Sequence, residues 1–153
     1  MTHLEVHSGR LFASDGSNLW WSEPFRFNLF NMTEGFVQLD SAIRMVRSVL
    51  GGLFVSTNTK TYFLSGNDPA SFTLKIVSSF PAAEYSDSSE KVEGGGIGYD
   101  PGSYLLWASQ EGAILGTPGG SIANLNKSKI IYPEEVSKGF GCLIGYEFLH
   151  GMN

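Results

Sequence analysis

Gly9-Arg10-Leu11-Phe12-Ala13-Ser14-Asp15-Gly16-Ser17-Asn18-Leu19-Trp20-Trp21-Ser22 reads as two short strands about an Asp15-Gly16 turn, with Pro24 just beyond. The same phrase returns twice. Leu53-Phe54-Val55-Ser56 leads through polar residues to Tyr62-Phe63-Leu64-Ser65 and Pro69, and Leu105-Leu106-Trp107-Ala108 turns at Glu111-Gly112 into Ala113-Ile114-Leu115-Gly116 and Pro118. Leu11 and Leu53 are 42 positions apart, and Leu53 and Leu105 are 52. Those spacings lie at or just above the period of four-stranded propeller blades. The expectation is an all-β, propeller-like domain of repeated antiparallel meanders, about three per chain, with approximate blades at 1–40, 41–83 and 91–148.

The intervening sequence keeps a period of two. Leu4 and Val6, Phe36 to Leu39, Ile43 to Leu50 and Phe72 to Val77 are short runs rich in aromatic and β-branched residues. Nineteen glycines and six prolines leave little room for a long helix, and only Pro133 to Lys138 suggests a helical turn. Later strands are expected at Leu105–Ser109, Ala113–Leu115, Ile122–Leu125, Lys129–Tyr132 and Cys142–Phe148. Residues 23–35, with Phe25, Phe27, Leu29 and Phe30, read as a loop held by its aromatics. Residues 84–102 hold Glu84, Asp87, Glu90, Glu93 and Asp100 among serines and glycines, and read as a solvated connection. Calcium is the sharper alternative there, but the regular acidic spacing of a calcium loop is missing.

Composition bounds the chemistry. At 153 residues, with 42% hydrophobic content, the chain can bury one sizeable core. A net charge of -5, from ten basic and fifteen acidic side chains, argues against a nucleic-acid partner. Arg26, Arg44 and Arg47 are the only local basic excess, and Arg44 and Arg47 fall on opposite faces of a strand. Cys142 is the single cysteine, so no internal disulfide forms. No apolar run approaches the ~20 residues of a membrane span, and the amino end lacks a signal-peptide pattern. Synthesis in a cytoplasm is expected.

Catalytic, metal and cofactor sites are each expected to be absent. His3, His7 and His150 stand at the chain ends, where they read as surface or terminal side chains, the alternative being a site shared between joined ends or between chains. His3 and His7 share one face of a strand. Ser88-Ser89-Glu90-Lys91 matches a Ser-x-x-Lys pattern without its companion motifs. Pro101 occupies the place where a third glycine would complete a phosphate-binding loop from Gly94 to Gly98. Trp20 and Trp21 point to opposite faces of one strand and read as core residues. The competing idea is an aromatic sugar platform flanked by Asn18, Glu23 and Arg26.

The phrase Gly9 to Pro24, continued by Phe25 to Phe30, resembles a segment of phage and prophage virion structural proteins. Gly52 to Val55 with Tyr62 to Pro69 resembles the next phrase of those proteins, and the likeness runs from about residue 4 to 125. The family is similar to the propeller parts of tail hub or nozzle components in short-tailed phages. Membership implies a non-catalytic virion component of the tail or head-tail connection, made in the bacterial host cytoplasm and working through assembly with itself or other virion proteins. It transfers no functional residue.

The runner-up is a carbohydrate-binding or host-recognition propeller. A third reading, a glycosidase, needs two carboxyl groups ~5 to 10 Å apart, and the adjacent Glu134 and Glu135 make a poor pair. Three meanders are fewer than a closed ring needs. The chain is therefore expected to self-associate, two copies closing a six-bladed ring, or to seal itself by pairing Cys142–Phe148 with Leu4–Val6.

Overall fold

The computed structural model describes residues 1–66, 68–92, 102–126, 139–144 and 147–152. They form antiparallel β-structure with a single 3-10 turn at Pro69–Ser71. The first sheet contains β1 (Leu4–His7), β2 (Arg10–Asp15), β3 (Asn18–Glu23) and β4 (Arg26–Phe30) in that order, with β5 (Phe36–Gln38) also pairing β3. The second runs β6 (Ile43–Val49), β7 (Gly52–Thr57), β8 (Thr61–Ser65) and β9 (Thr73–Ser78). The third runs β10 (Ser88–Val92), β11 (Gly102–Ser109), β12 (Gly112–Gly116) and β13 (Ile122–Asn124). A last hairpin pairs β14 (Gly139–Ile144) with β15 (Glu147–Met152) and lies against β10 and β11. Among the described residues no helix is long and apolar enough to cross a membrane.

The repeat sets the register. Each central hairpin closes on a two-residue turn, at Asp15↔Asn18, at the Thr57–Lys60 backbone bond and at Ser109↔Gly112. Leu11, Leu53 and Leu105 each stand four residues before that closure and are therefore equivalent. Their burial is not equal, because Leu53 and Leu105 are fully buried whereas Leu11 is only partly so. A repeat of three equally buried leucines is therefore not what forms, and Leu11 is the one that departs.

Alternation on the strands explains the difference. From the second sheet, Leu53, Val55, Tyr62 and Leu64 pack with Phe12, Leu19 and Trp21 of the first. Phe54 and Phe63, between them in sequence, pack with Leu105, Trp107 and Ile114 of the third. The middle sheet is covered on both faces, which is why β7 is buried along its whole length. Phe54 and Trp107 meet with ring centroids 5.5 Å apart, and Phe72 reaches back to Phe12 at 6.0 Å. Leu11 lies on the face of the first sheet turned away from this stack, where no described sheet covers it.

Three local expectations are corrected. Arg26–Phe30 is a strand, paired to β3 through Ser22↔Phe30 and Glu23↔Arg26; its apolar side chains are largely exposed instead of folding the segment back as a loop. Ser88–Val92 is a strand too, because β11 supplies a partner at Ser88↔Leu106 through Val92↔Gly102 that the acidic composition did not reveal. Cys142–Phe148, expected as one strand, is divided between β14 and β15, which pair with each other while β1 pairs β2. Among the described strands the chain ends do not join. Lys129–Tyr132 and Pro133–Lys138 lie outside the described residues.

Candidate functional site

Strands of successive sheets converge. β1 lies beside β6, and β6 beside β11. His3, just before β1, and Glu5 and His7 within it alternate with Leu4 and Val6, so the polar set shares one face and the apolar pair the other.

The polar face meets the second and third sheets. Arg47 on β6 donates to Glu5 at 3.4 Å and also pairs with Asp87, just before β10. Burial raises the Glu5 carboxyl even against the pull of Arg47. Burial opposes the Arg47 charge, but the Asp87 and Glu5 carboxylates more than offset it and raise its pKa. His3 Nε2 is 4.0 Å from Glu84 Oε1, and its ring centroid is 6.0 Å from that of Tyr85. Thr2, His3, Leu4, Arg47, Tyr85 and Asp87 line a depression of 280 Å³ together with Val46. One cation between two carboxylates is an ion-pair brace tying three sheets, with its charge already satisfied.

His7 Nδ1 and Ser48 Oγ are 2.8 Å apart. This pair was invisible in sequence because 41 residues separate its members. It resembles a base beside a hydroxyl, yet no carboxylate is bonded to the imidazole. The ring is buried against Phe12 instead of opening into a cavity. The expectation of surface histidines therefore fails at His7, which is buried, and at His3, which is partly so. The side chain of His150 lies outside the described residues.

The apolar face is the other feature. The pairings Leu4↔Ala13, Val6↔Leu11, Ala13↔Trp20 and Trp20↔Phe36 place Leu4, Val6, Leu11, Trp20 and Phe36 on one side of the first sheet. Leu4 and Val6 are 61% and 48% exposed, and Trp20 packs on Phe36 with centroids 4.5 Å apart. Trp21, on the opposite face, is in the core. The two tryptophans do not make a joint platform, and only one is a full core residue as expected.

Glu23 and Arg26 stand elsewhere, lining a 350 Å³ open cavity with Pro24, Leu29, Phe30 and Asn31. At the tip of that hairpin Phe25 is 84% exposed with φ +56°, an uncommon backbone state for a bulky residue. Its amide donates to Gly9 O at 2.7 Å, and its ring covers Gly9 so closely that a Cβ there would collide with it. Asn18, on the Trp20 side, has a buried Oδ1 without a partner.

Among the described residues no group of three or more His, Cys, Asp or Glu is gathered for a metal ion. Glu84, Asp87 and Glu90 are spread over a linker and a strand, while Glu93, Asp100, Glu134 and Glu135 lie outside the described residues, as do Gly94–Gly98 and Pro101. Arg44 donates to Asn58 and Arg47 to carboxylates, so the basic residues form no common stripe. No family model, curated protein or solved structure gives a significant match to this chain.

Proposed function

We propose that the chain is a non-catalytic structural domain whose three stacked meanders are propeller-like blades and whose role is assembly. The observation that carries this reading is the apolar face of Leu4, Val6, Leu11, Trp20 and Phe36. The equivalent faces of the second and third sheets are each covered by the preceding sheet. Leaving this one open costs about 25 cal/mol per Å² of apolar surface kept in water. A second copy of this chain is the occupant, since the internal stacking already shows one sheet of the sequence covering the next. A virion setting, in a tail or head-tail connection, rests on the likeness of Gly9–Pro24 and Gly52–Pro69 to phage structural proteins and on nothing else.

Light scattering over a concentration series tests the reading. The protein is expected to gain mass with concentration, and Val6→Glu, at an exposed site, is expected to hold it monomeric with little change in melting. A monomer at all concentrations would refute self-assembly. The carbohydrate-binding alternative finds less support, because Trp21 is in the core and Glu23 and Arg26 line a cavity without either tryptophan.

A further inference from the structure

The polar face of β1 carries an inference that does not depend on the assembly reading. This strand is only four residues long, and its sole ladder among the described residues is to β2. Its attachments to the other sheets are side-chain contacts from alternate residues: His3 to the Glu84–Tyr85 segment, Glu5 to Arg47, and His7 to Ser48.

We propose that β1 is an acid-releasable strand, pinned to the second and third sheets by two neutral imidazoles and loosened when they take up protons. His7 is the simpler case. Its ring is buried beside Phe12 and Ser48, neither of them charged, and Ser48 satisfies only one ring nitrogen. A proton added to the imidazole places a charge on a largely buried ring with no carboxylate beside it to offset the lost hydration.

His3 has mixed surroundings. Burial disfavours its charged form, Glu84 and Asp87 favour it, and Arg47 on β6 opposes it. Burial is the largest of these, and the net effect lowers the His3 pKa below its ordinary value of 6.5. Its Nε2 is buried with no hydrogen-bond partner, as a neutral imidazole tolerates better than a charged one. Burial lowers His7 in the same way.

The sign follows. A histidine with a depressed folded-state pKa binds protons more readily when its strand is released. The attachment is therefore strongest above 6.5 and weakens as pH falls from there toward the lowered folded-state values. Glu5 works the other way, since burial raises its carboxyl and acid relieves that cost, so its titration opposes the loosening and does not mimic it. Arg47 stays charged throughout, and the exposed Tyr85 hydroxyl, raised by Glu84, stays neutral.

Hydrogen exchange read by mass spectrometry tests this at pH ~7.5 and ~5.5, corrected for intrinsic rates, a window that stays above ordinary carboxylate titration. Protection in peptides covering Leu4–His7 is expected to fall severalfold at the lower pH, with β7 unchanged. The double variant His3→Gln, His7→Gln is expected to lose that pH dependence. Constant protection in β1, an equal fall in β7, or a double variant that keeps the fall would overturn the proposal. If the double variant does not fold, His7→Gln alone decides: a reduced fall supports the proposal and an unchanged one contradicts it.

Discussion

Leu11 and Leu53 hold the same register position in successive hairpins, yet Leu53 is wholly buried and Leu11 faces outward from the first sheet. The covering sheet accounts for the difference. Leu53→Ala is expected to cost about 2–5 kcal/mol, whereas Leu11→Ala is expected to cost no more than about 1 kcal/mol. Urea unfolding of the two variants measures the contrast. Equal losses would mean that the repeat positions do not differ in packing.

The contact between the second and third sheets depends on a missing side chain. A Cβ at Gly116 would lie 2.9 Å from the rings of both Phe54 and Trp107. Gly116→Ala is therefore expected to destabilise the fold by about 1–3 kcal/mol through overpacking. Thermal melting checks this, and an unchanged midpoint would show that the two rings yield without cost.

Asp40, in the linker between the first two sheets, gathers the turn of the next hairpin. Its carboxylate accepts from Thr57 Oγ1 at 3.0 Å and from Thr59 Oγ1, with Lys60 Nζ 3.5 Å away. Burial pushes this carboxyl up, but the hydrogen bonds from Thr59, Thr57 and Tyr62 with the Lys60 charge outweigh it and hold it at about 2. A carboxylate with a depressed folded-state pKa stabilises fully above its ordinary value of 3.8, and this contribution is lost as pH falls through about 2. Asp40→Asn is expected to lower stability by about 1 kcal/mol at neutral pH, a modest figure because the group is partly exposed. It is also expected to flatten the acid limb of the melting curve. An acid limb identical to the parent's would exclude this role.

Much of the fold was legible because strand signals are local. The turn read at Asp15-Gly16, one residue before the observed Gly16–Ser17, and the aromatic and β-branched runs announced the three central hairpins. What escaped depended on partners distant in sequence. Ser88–Val92 is polar and becomes a strand only beside β11, while Arg26–Phe30 becomes one by pairing with the end of β3. The candidate site was less legible still. Histidines at a chain end look exposed until β1 is laid beside β6, Ser48 gave no signal of its own, and Asp87 read as part of a solvated connection. Gly116 read as punctuation, although it makes room for two rings from different sheets.

Hydroxyl-radical footprinting at low and high protein concentration tests the open-face account most directly. Leu4, Val6, Trp20 and Phe36 are expected to become protected together as concentration rises, while Leu74 and Ile76, exposed on the outer strand of the second sheet, stay reactive. If the face of the first sheet remains as reactive as Leu74 and Ile76 at every concentration, the claim that it is an assembly surface is contradicted.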